Sequence, residues 1–291
     1  VATPSMRNSA RARRDAALRL EIRRVFDANF GVYGVRKVWR QLRREGEPVA
    51  RCTVERLMRQ LGIDGIRRRR KRPKTASARA EECPDDLVER EFAAPAPNCL
   101  WVADITYVPT TAGWVYTTFI LDVFHREIVG WQVTNHMRES LARDALTMAL
   151  AAKYRAGEDV SGLVHHSDRG VQFRSIRYGE TLAESEVVAS VGSRGDSYDN
   201  AMAEALNSLF KAECIRNPVM RPKGGWASVR DVEIAVAEYV DWYNHRRLHG
   251  EIGHVPPAEF EAAHVLFFPL FFTSFLIDDF LADEGFFGAD T

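Results

Sequence analysis

Residues 99–133 read CLWVADITYVPTTAGWVYTTFILDVFHREIVGWQV, and the fold turns on how this stretch is parsed. Its three apolar runs, CLWVADITYV, GWVYTTFILDVF and REIVGWQV, are rich in β-branched and aromatic residues and are separated by short connections, the first carrying the turn Thr-Thr-Ala-Gly. Three successive strands joined by so little chain predict an antiparallel meander. Downstream the pattern alternates. A helix is expected near 138–156, a strand at GLVHHSD (162–168), a helix near 175–185, a short strand at EVVASV (186–191) and an amphipathic helix over 197–214. A further helix, VRDVEIAVAEYVDWYNHRR, follows Pro218. A meander followed by alternation implies an α/β fold, a mixed sheet with helices on its faces.

Within the first strand Asp104 is out of place. A lone ionised carboxylate between buried neighbours costs several kcal/mol unless a partner compensates it. Asp168 closes the fourth strand, and the carboxyl ends of strands in α/β sheets are where functional groups gather. Glu204 is the third such acid. Its helix opens with Ser197 or Asp199 as candidate caps, and Asn200, Glu204, Asn207 and Lys211, spaced by four, three and four residues, share one helical face. Taken singly, Asp104 could pair with an arginine, Asp168 could begin a turn with Arg169 and Gly170, and Glu204 could join a surface ion pair. Brought together, three carboxylates repel one another unless cations bind, and an oxygen-rich set favours Mg²⁺ or Mn²⁺. Two such ions suit in-line phosphodiester displacement. A zinc site built from His165, His166 and Asp168 with His245 or His249 is disfavoured, because adjacent strand residues point to opposite faces.

Ahead of the meander, three segments carry apolar residues at helical spacing: Leu18, Ile22, Val25, Phe26; Val35, Val38, Trp39, Leu42; and Val54, Leu57, Met58, Leu61. They predict a small all-α unit over 1–66 with helix-turn-helix spacing, Thr53 capping the third helix. Arg51, Arg56, Arg59 and Gln60 lie off the apolar stripe and are available to DNA. The basic run RRRRKRPKTASAR (67–79) begins a linker over 67–95 that can neutralise phosphates without specifying sequence.

The formal net charge of zero conceals a division. Residues 1–80 hold 23 Lys and Arg against 7 Asp and Glu, leaving 17 against 33 in the remainder. A basic front beside an acidic body points to a polyanion for one and cations for the other. The four cysteines form no CxxC pair, so neither a zinc ribbon nor a disulfide framework is indicated, and a cytoplasmic setting is expected. The apolar stretch VLFFPLFFTSFLI (265–277) falls short of the roughly 20 residues that a spanning helix needs and contains Pro269, so no membrane partner is expected and residues 265–291 are read as an atypical tail.

Thirty-five residues separate Asp168 from Glu204. With PNCLWVADITYV, LDVFHREIVGW, HHSDRGVQF, GDSYDNAMAEALNSLFKAE and YVDWYNHRRLHG, that interval resembles the DD(35)E signature of transposases and retroviral integrases. Over residues 18–264 the chain is similar to the second-reading-frame products of bacterial insertion sequences, and YGVRKVWRQLRREG and ERLMRQLGIDG match the helix-turn-helix segment preceding that family's core. The resemblance implies an RNase H-like integrase core over 96–264, with Asp104, Asp168 and Glu204 as a catalytic, metal-binding triad for two Mg²⁺ or Mn²⁺ ions. It also implies a DNA phosphate contact at Lys211, seven positions after the glutamate. Asn200 is expected to fix substrate or water, and Arg246 and Arg247, with His245 and His249, to form either a basic edge touching DNA or a solvated helix end. The implied activity is DNA strand cleavage and strand transfer during transposition, in a bacterial cytoplasm at the nucleoid. The implied partners are element terminal inverted repeats, target DNA, the first-reading-frame product by fusion or association, and further copies of the chain on DNA. The alternative is a catalytically inactive DNA-binding regulator or relic. No histidine precedes His125, so the zinc-binding unit ahead of retroviral integrase cores has no counterpart in this sequence.

Overall fold

The computed structural model describes residues 9–67, 87, 88, 92–168, 170–192 and 200–264. The basic run from 68 onward, the tail from 265 and the expected caps Ser197 and Asp199 lie outside the described residues. Helices α1 (Ala10–Ala28), α2 (Val35–Arg44) and α3 (Arg51–Leu61) form the N-terminal unit. The helix expected to be capped by Thr53 instead starts three residues earlier, with Ala50 at the cap position and no side-chain cap bond.

The meander is present as β1 (Leu100–Thr110), β2 (Gly113–Asp122) and β3 (Ile128–Thr134). It is followed by α4 (Glu139–Ala156), β4 (Val164–Ser167), α5 (Ile176–Glu184), β5 (Val188–Val191), α6 (Ala201–Phe210) and α7 (Val229–His245), with a π-helical turn, Lys211–Ile215, directly after α6. The sheet order is β3-β2-β1-β4-β5. β1, β2 and β3 pair antiparallel, whereas β4 pairs parallel to both β1 and β5. The mixed sheet flanked by helices follows as expected.

Strand alternation sends side chains to two faces. On one face Trp101, Ala103 and Ile120 pack against Ala142, Ala145 and Leu146 of α4 and Tyr178 of α5. Small residues let α4 approach closely. A Cβ on Gly130 of β3 would lie 2.4 Å from the Ala145 carbonyl oxygen, so nothing larger than glycine fits. On the other face Val102, Val108 and Phe119 meet Leu206 and Phe210 of α6 and Tyr239 of α7.

That second core continues without a break into the N-terminal unit, where Ile22, Val38, Leu42 and Leu57 belong to the same cluster. Buried polar groups fasten the junction. Tyr33 Oη donates to the Arg246 carbonyl at 3.0 Å and accepts from Leu248 N at 2.7 Å, Trp242 Nε1 donates to Asn29 Oδ1 at 3.0 Å, and Asn217 Nδ2 donates to the Phe30 carbonyl at 2.9 Å. The helices read from the sequence as a separate module thus share their interior with α7. No helix among the described residues is long and apolar enough to cross a membrane.

Candidate functional site

The last parallel pair between β1 and β4 is Ala103 opposite Ser167. Asp104 and Asp168 are the next residues on two strands that lie about 4.8 Å apart, so their carboxylates start from adjacent positions. Glu204 is delivered by α6. Asn200, at the cap position, donates from Nδ2 to the Ala103 carbonyl at 2.8 Å, bolting the start of α6 to β1 one residue before Asp104. Glu204 lies in the first turn beyond that bolt, and Asn207, one turn further, donates from Nδ2 to Asp104 Oδ2 at 2.8 Å. The second oxygen of Asp104 accepts from Ile105 N at 2.8 Å, while Asp168 Oδ1 accepts from Gly170 N at 2.9 Å.

The three acids are electrostatically coupled. Burial, then the charge of Asp168, raises the Asp104 pKa to about 7. The hydrogen bonds from Asn207 and Ile105 pull the other way, and Glu204 adds to the rise. Asp104 is half-buried, whereas Asp168 and Glu204 are exposed at the rim. Such a set of oxygen donors suits a hard divalent cation.

Lys211, at the C-terminal end of α6, places Nζ 4.2 Å from the centre of the Tyr107 ring. Asn200 is 7% exposed and committed to the backbone of β1, so the direct DNA or water contact expected there gives way to a structural bolt. Arg247 is corrected likewise. It is 5% exposed, with its guanidinium paired to both Glu213 oxygens at 2.8 Å. His249 is also buried, and desolvation with the nearby Arg247 charge holds its pKa well below the ordinary imidazole value. Of the expected basic edge, His245 is exposed and Arg246 is half-exposed, 2.9 Å from Asp241. In α3, Arg51 and Arg59 are exposed, the latter 3.3 Å from Glu55, but Arg56 contacts both oxygens of Asp15 at 3.0 Å and ties α3 to α1. Gln60 accepts from Arg19 at 2.8 Å. His165 and His166 face opposite sides, bonding to Tyr178 Oη at 3.0 Å and Ser190 Oγ at 2.9 Å respectively. The role of Asn207 was visible only as its place on the Glu204 face.

A second group, His125, Glu127 and Glu261, brings potential ligand atoms within 4.8 Å of one another. Here two protein cations already sit among the carboxylates. Lys153 Nζ lies 3.0 Å from Glu158 and 3.1 Å from Glu261, and His125 lies 3.0 Å from both Asp122 and Glu127. Burial opposes the imidazolium, but the three carboxylates prevail and raise the His125 pKa to about 11, while His125 holds Glu261 down to about 2. Glu261 belongs to a helical segment over 257–264, so this network latches that segment to the core. The Glu261 contribution to stability is present above about pH 4.5 and lost as pH falls through about 2. The His125 contribution is full below about 6.5 and disappears as pH rises through about 11. Imidazole ¹⁵N spectra at pH 8 should therefore show both His125 nitrogens protonated; a neutral ring would refute the charge assignment.

Residues 12–71 match an HTH-like domain model, and residues 94–197 and 185–257 match two integrase core domain models. The chain is 50% identical over 257 residues to a putative transposase for insertion sequence element IS986/IS6110 of Mycobacterium tuberculosis, covering 88% of this chain and 91% of that one. The chain belongs to the transposases of bacterial insertion sequences. The IS629 transposase of Shigella sonnei is also 50% identical, over 89% of this chain and 83% of its own length. Among solved structures, the HTLV-2 integrase catalytic core domain in complex with magnesium aligns with a TM-score of 0.40 and 13% identity, covering 57% of the transposase and 98% of the viral domain. The simian T-cell lymphotropic virus intasome in complex with a PP2A regulatory subunit gives a TM-score of 0.47 at 12% identity, covering 79% of this chain and 70% of that one.

Proposed function

We propose that this transposase cleaves the ends of its insertion sequence and joins the resulting 3′-hydroxyls to target DNA, with two Mg²⁺ or Mn²⁺ ions held by Asp104, Asp168 and Glu204. The observation that carries the reading is that Asp104 and Asp168 follow paired residues of β1 and β4, with the helix of Glu204 fastened beside them, and that burial and the two neighbouring acids raise the Asp104 pKa to about 7. Bound ions would polarise the scissile phosphate and stabilise the attacking and leaving oxygens. The residues do the positioning. Asn207 and Ile105 N fix the Asp104 carboxylate, the Asn200 bolt sets how far Glu204 stands from it, and the Lys211 ammonium meets a DNA phosphate beside the acids. In joining, the element's 3′-oxygen bonds to a target phosphorus as the bond to the target's own 3′-oxygen breaks, and that oxygen leaves as a hydroxyl. Arg51 and Arg59 on α3 and the half-exposed Arg246 are assigned to the DNA backbone. Two ends must be held together, which calls for several copies on DNA, and the first-reading-frame product is assigned as the fused or associated portion that recognises those ends.

The test is an oligonucleotide assay carrying the element's terminal inverted repeats, run with the chain alone and fused to the first-frame segment. Mg²⁺-dependent 3′-end cleavage and joining, abolished by a chelator and restored by Mn²⁺, is expected. DNA binding without chemistry in both forms would leave the inactive-regulator reading instead.

A further inference from the structure

The tip of the β1–β2 hairpin carries two large aromatic side chains in the open. Tyr107 is 53% exposed and Trp114 54% exposed, and their rings meet edge to face with centroids 5.2 Å apart. An exposed tryptophan and tyrosine together, on a sheet whose other large aromatic side chains are mostly enclosed, need an explanation beyond packing. Two features give one. First, the tip is rigid: Thr111 N donates to the Trp226 carbonyl at 2.9 Å, Thr111 Oγ1 to the Ala227 carbonyl at 3.3 Å, and Thr110 Oγ1 to the Gly113 carbonyl at 2.7 Å. The backbone that bears the rings is therefore fixed before anything binds, which lowers the ordering cost of a ligand. Second, Lys211 links the pair to the acidic site. Tyr107 follows Asp104 by three residues on the same strand, about 10 Å at the usual rise per residue, so the two side chains leave opposite faces of β1. Lys211, seven residues after Glu204, spans the gap by lying over the Tyr107 ring.

We propose that Tyr107 and Trp114 form a stacking platform for an unpaired nucleobase of the DNA strand whose phosphate lies at Lys211. This deepens the function proposed above and rests on it. A cation beside a phosphate, with an exposed aromatic ring next to it, is the recurring arrangement by which proteins hold unstacked nucleic acid. A base within a duplex has both faces covered by its neighbours, so only a terminal, frayed or extruded base can use the platform. Stacking is tolerant of sequence, so the platform would grip strand ends irrespective of the bases there.

The experiment uses the full chain with two synthetic DNAs of arbitrary sequence, a blunt duplex and the same duplex with a short 3′-overhang carrying 2-aminopurine, in the presence of a chelator to prevent reaction. The wild type should prefer the overhang and quench its fluorescence. Trp114→Leu or Tyr107→Leu should reduce overhang affinity roughly 5- to 150-fold, leave blunt-duplex affinity unchanged and weaken the quench, whereas Trp114→Phe should keep most of the preference. Both positions are exposed, and unchanged circular dichroism and melting temperatures will show that the variants fold. Equal affinity and quenching in the leucine variants would overturn the platform, as would a parallel loss on both DNAs or a loss of self-association with DNA binding intact, the last assigning the pair to a subunit interface. Joining by Asp104→Asn is measured alongside. If that variant still joins DNA, the proposed chemistry fails; if it does not, while the leucine variants match wild type, the platform alone fails.

Discussion

Asp104→Asn is expected to reduce strand joining by roughly a thousandfold or more and, at the same time, to raise the melting temperature of the metal-free protein. The first effect follows because the proposed ions supply several kcal/mol of transition-state stabilisation, each 1.36 kcal/mol being tenfold in rate, and a neutral amide is a poor substitute for a ligand carboxylate. The second follows from the local electrostatics. With its pKa raised to about 7 from the ordinary carboxylate value of about 3.8, the group contributes its full stability below about pH 3.8 and loses it as pH rises through about 7. At pH 8 the folded protein carries a charge that Asp168 and Glu204 oppose, and an asparagine carries none. The amide also fits. Asn207 Oδ1 is buried without a hydrogen-bond partner, so a half-turn of that amide lets it accept from the new side-chain NH₂ while Ile105 N still donates to the remaining oxygen. Discounted for solvent around this half-buried site, the gain is about 1–3 kcal/mol, or several degrees in melting temperature. Thermal melts in a chelator at pH 8 and pH 5 will check it, with a gain confined to the higher pH. A variant that melts below wild type at pH 8 would show that the three acids are not in conflict.

Glu213→Gln is expected to destabilise the protein by about 3–5 kcal/mol, because it leaves the Arg247 guanidinium buried without a counter-charge. The two residues are 6% and 5% exposed and doubly bonded at 2.8 Å, and Tyr239 Oη also donates to Glu213 at 3.3 Å. Arg247 lies 5.4 Å from the Tyr243 ring centre, so it has no route to water without opening the end of α7. Removing both charges should cost less than removing one, since a buried pair replaced by apolar groups leaves no orphan. Urea unfolding of Glu213→Gln, Arg247→Leu and a Glu213→Leu/Arg247→Leu double variant will decide this. Additive losses would show that the pair is not coupled. The effect on joining should follow folding, because Glu213 sits in the π-helical turn behind α6 and fastens the rear of the helix that carries Glu204.

Much of this was legible in the chain itself. The meander could be read because each strand is a dense apolar run bounded by turn residues, and the α6 face could be read because Asn200, Glu204, Asn207 and Lys211 repeat at helical intervals. The errors share one cause, which is that local spacing does not report distant partners. Arg247 looked like part of a basic edge because four basic residues sit close together at 245–249, and only Glu213, far away in sequence, turns it inward. Arg56 lies off the apolar stripe of α3, yet Asp15 on α1 claims it. Asn200 was correctly placed beside Glu204, but its partner is a backbone carbonyl, which no sequence pattern displays. The aromatic pair was hidden for another reason: Tyr107 and Trp114 read as ordinary strand residues, and their exposure depends on where the flanking helices stop.

The hydrogen bonds made by Tyr33, Asn29 and Asn217 have a geometric corollary for recognition. A DNA-gripping unit on a slack tether samples many offsets between the phosphates it touches and the bond to be cut. Here α3 and the strand that carries Asp104 share one continuous core, so under the proposed activity the molecule works as a gauge of fixed length, and the helical phase between contacted phosphates and cut bond is set by packing rather than by the chain joining the two parts.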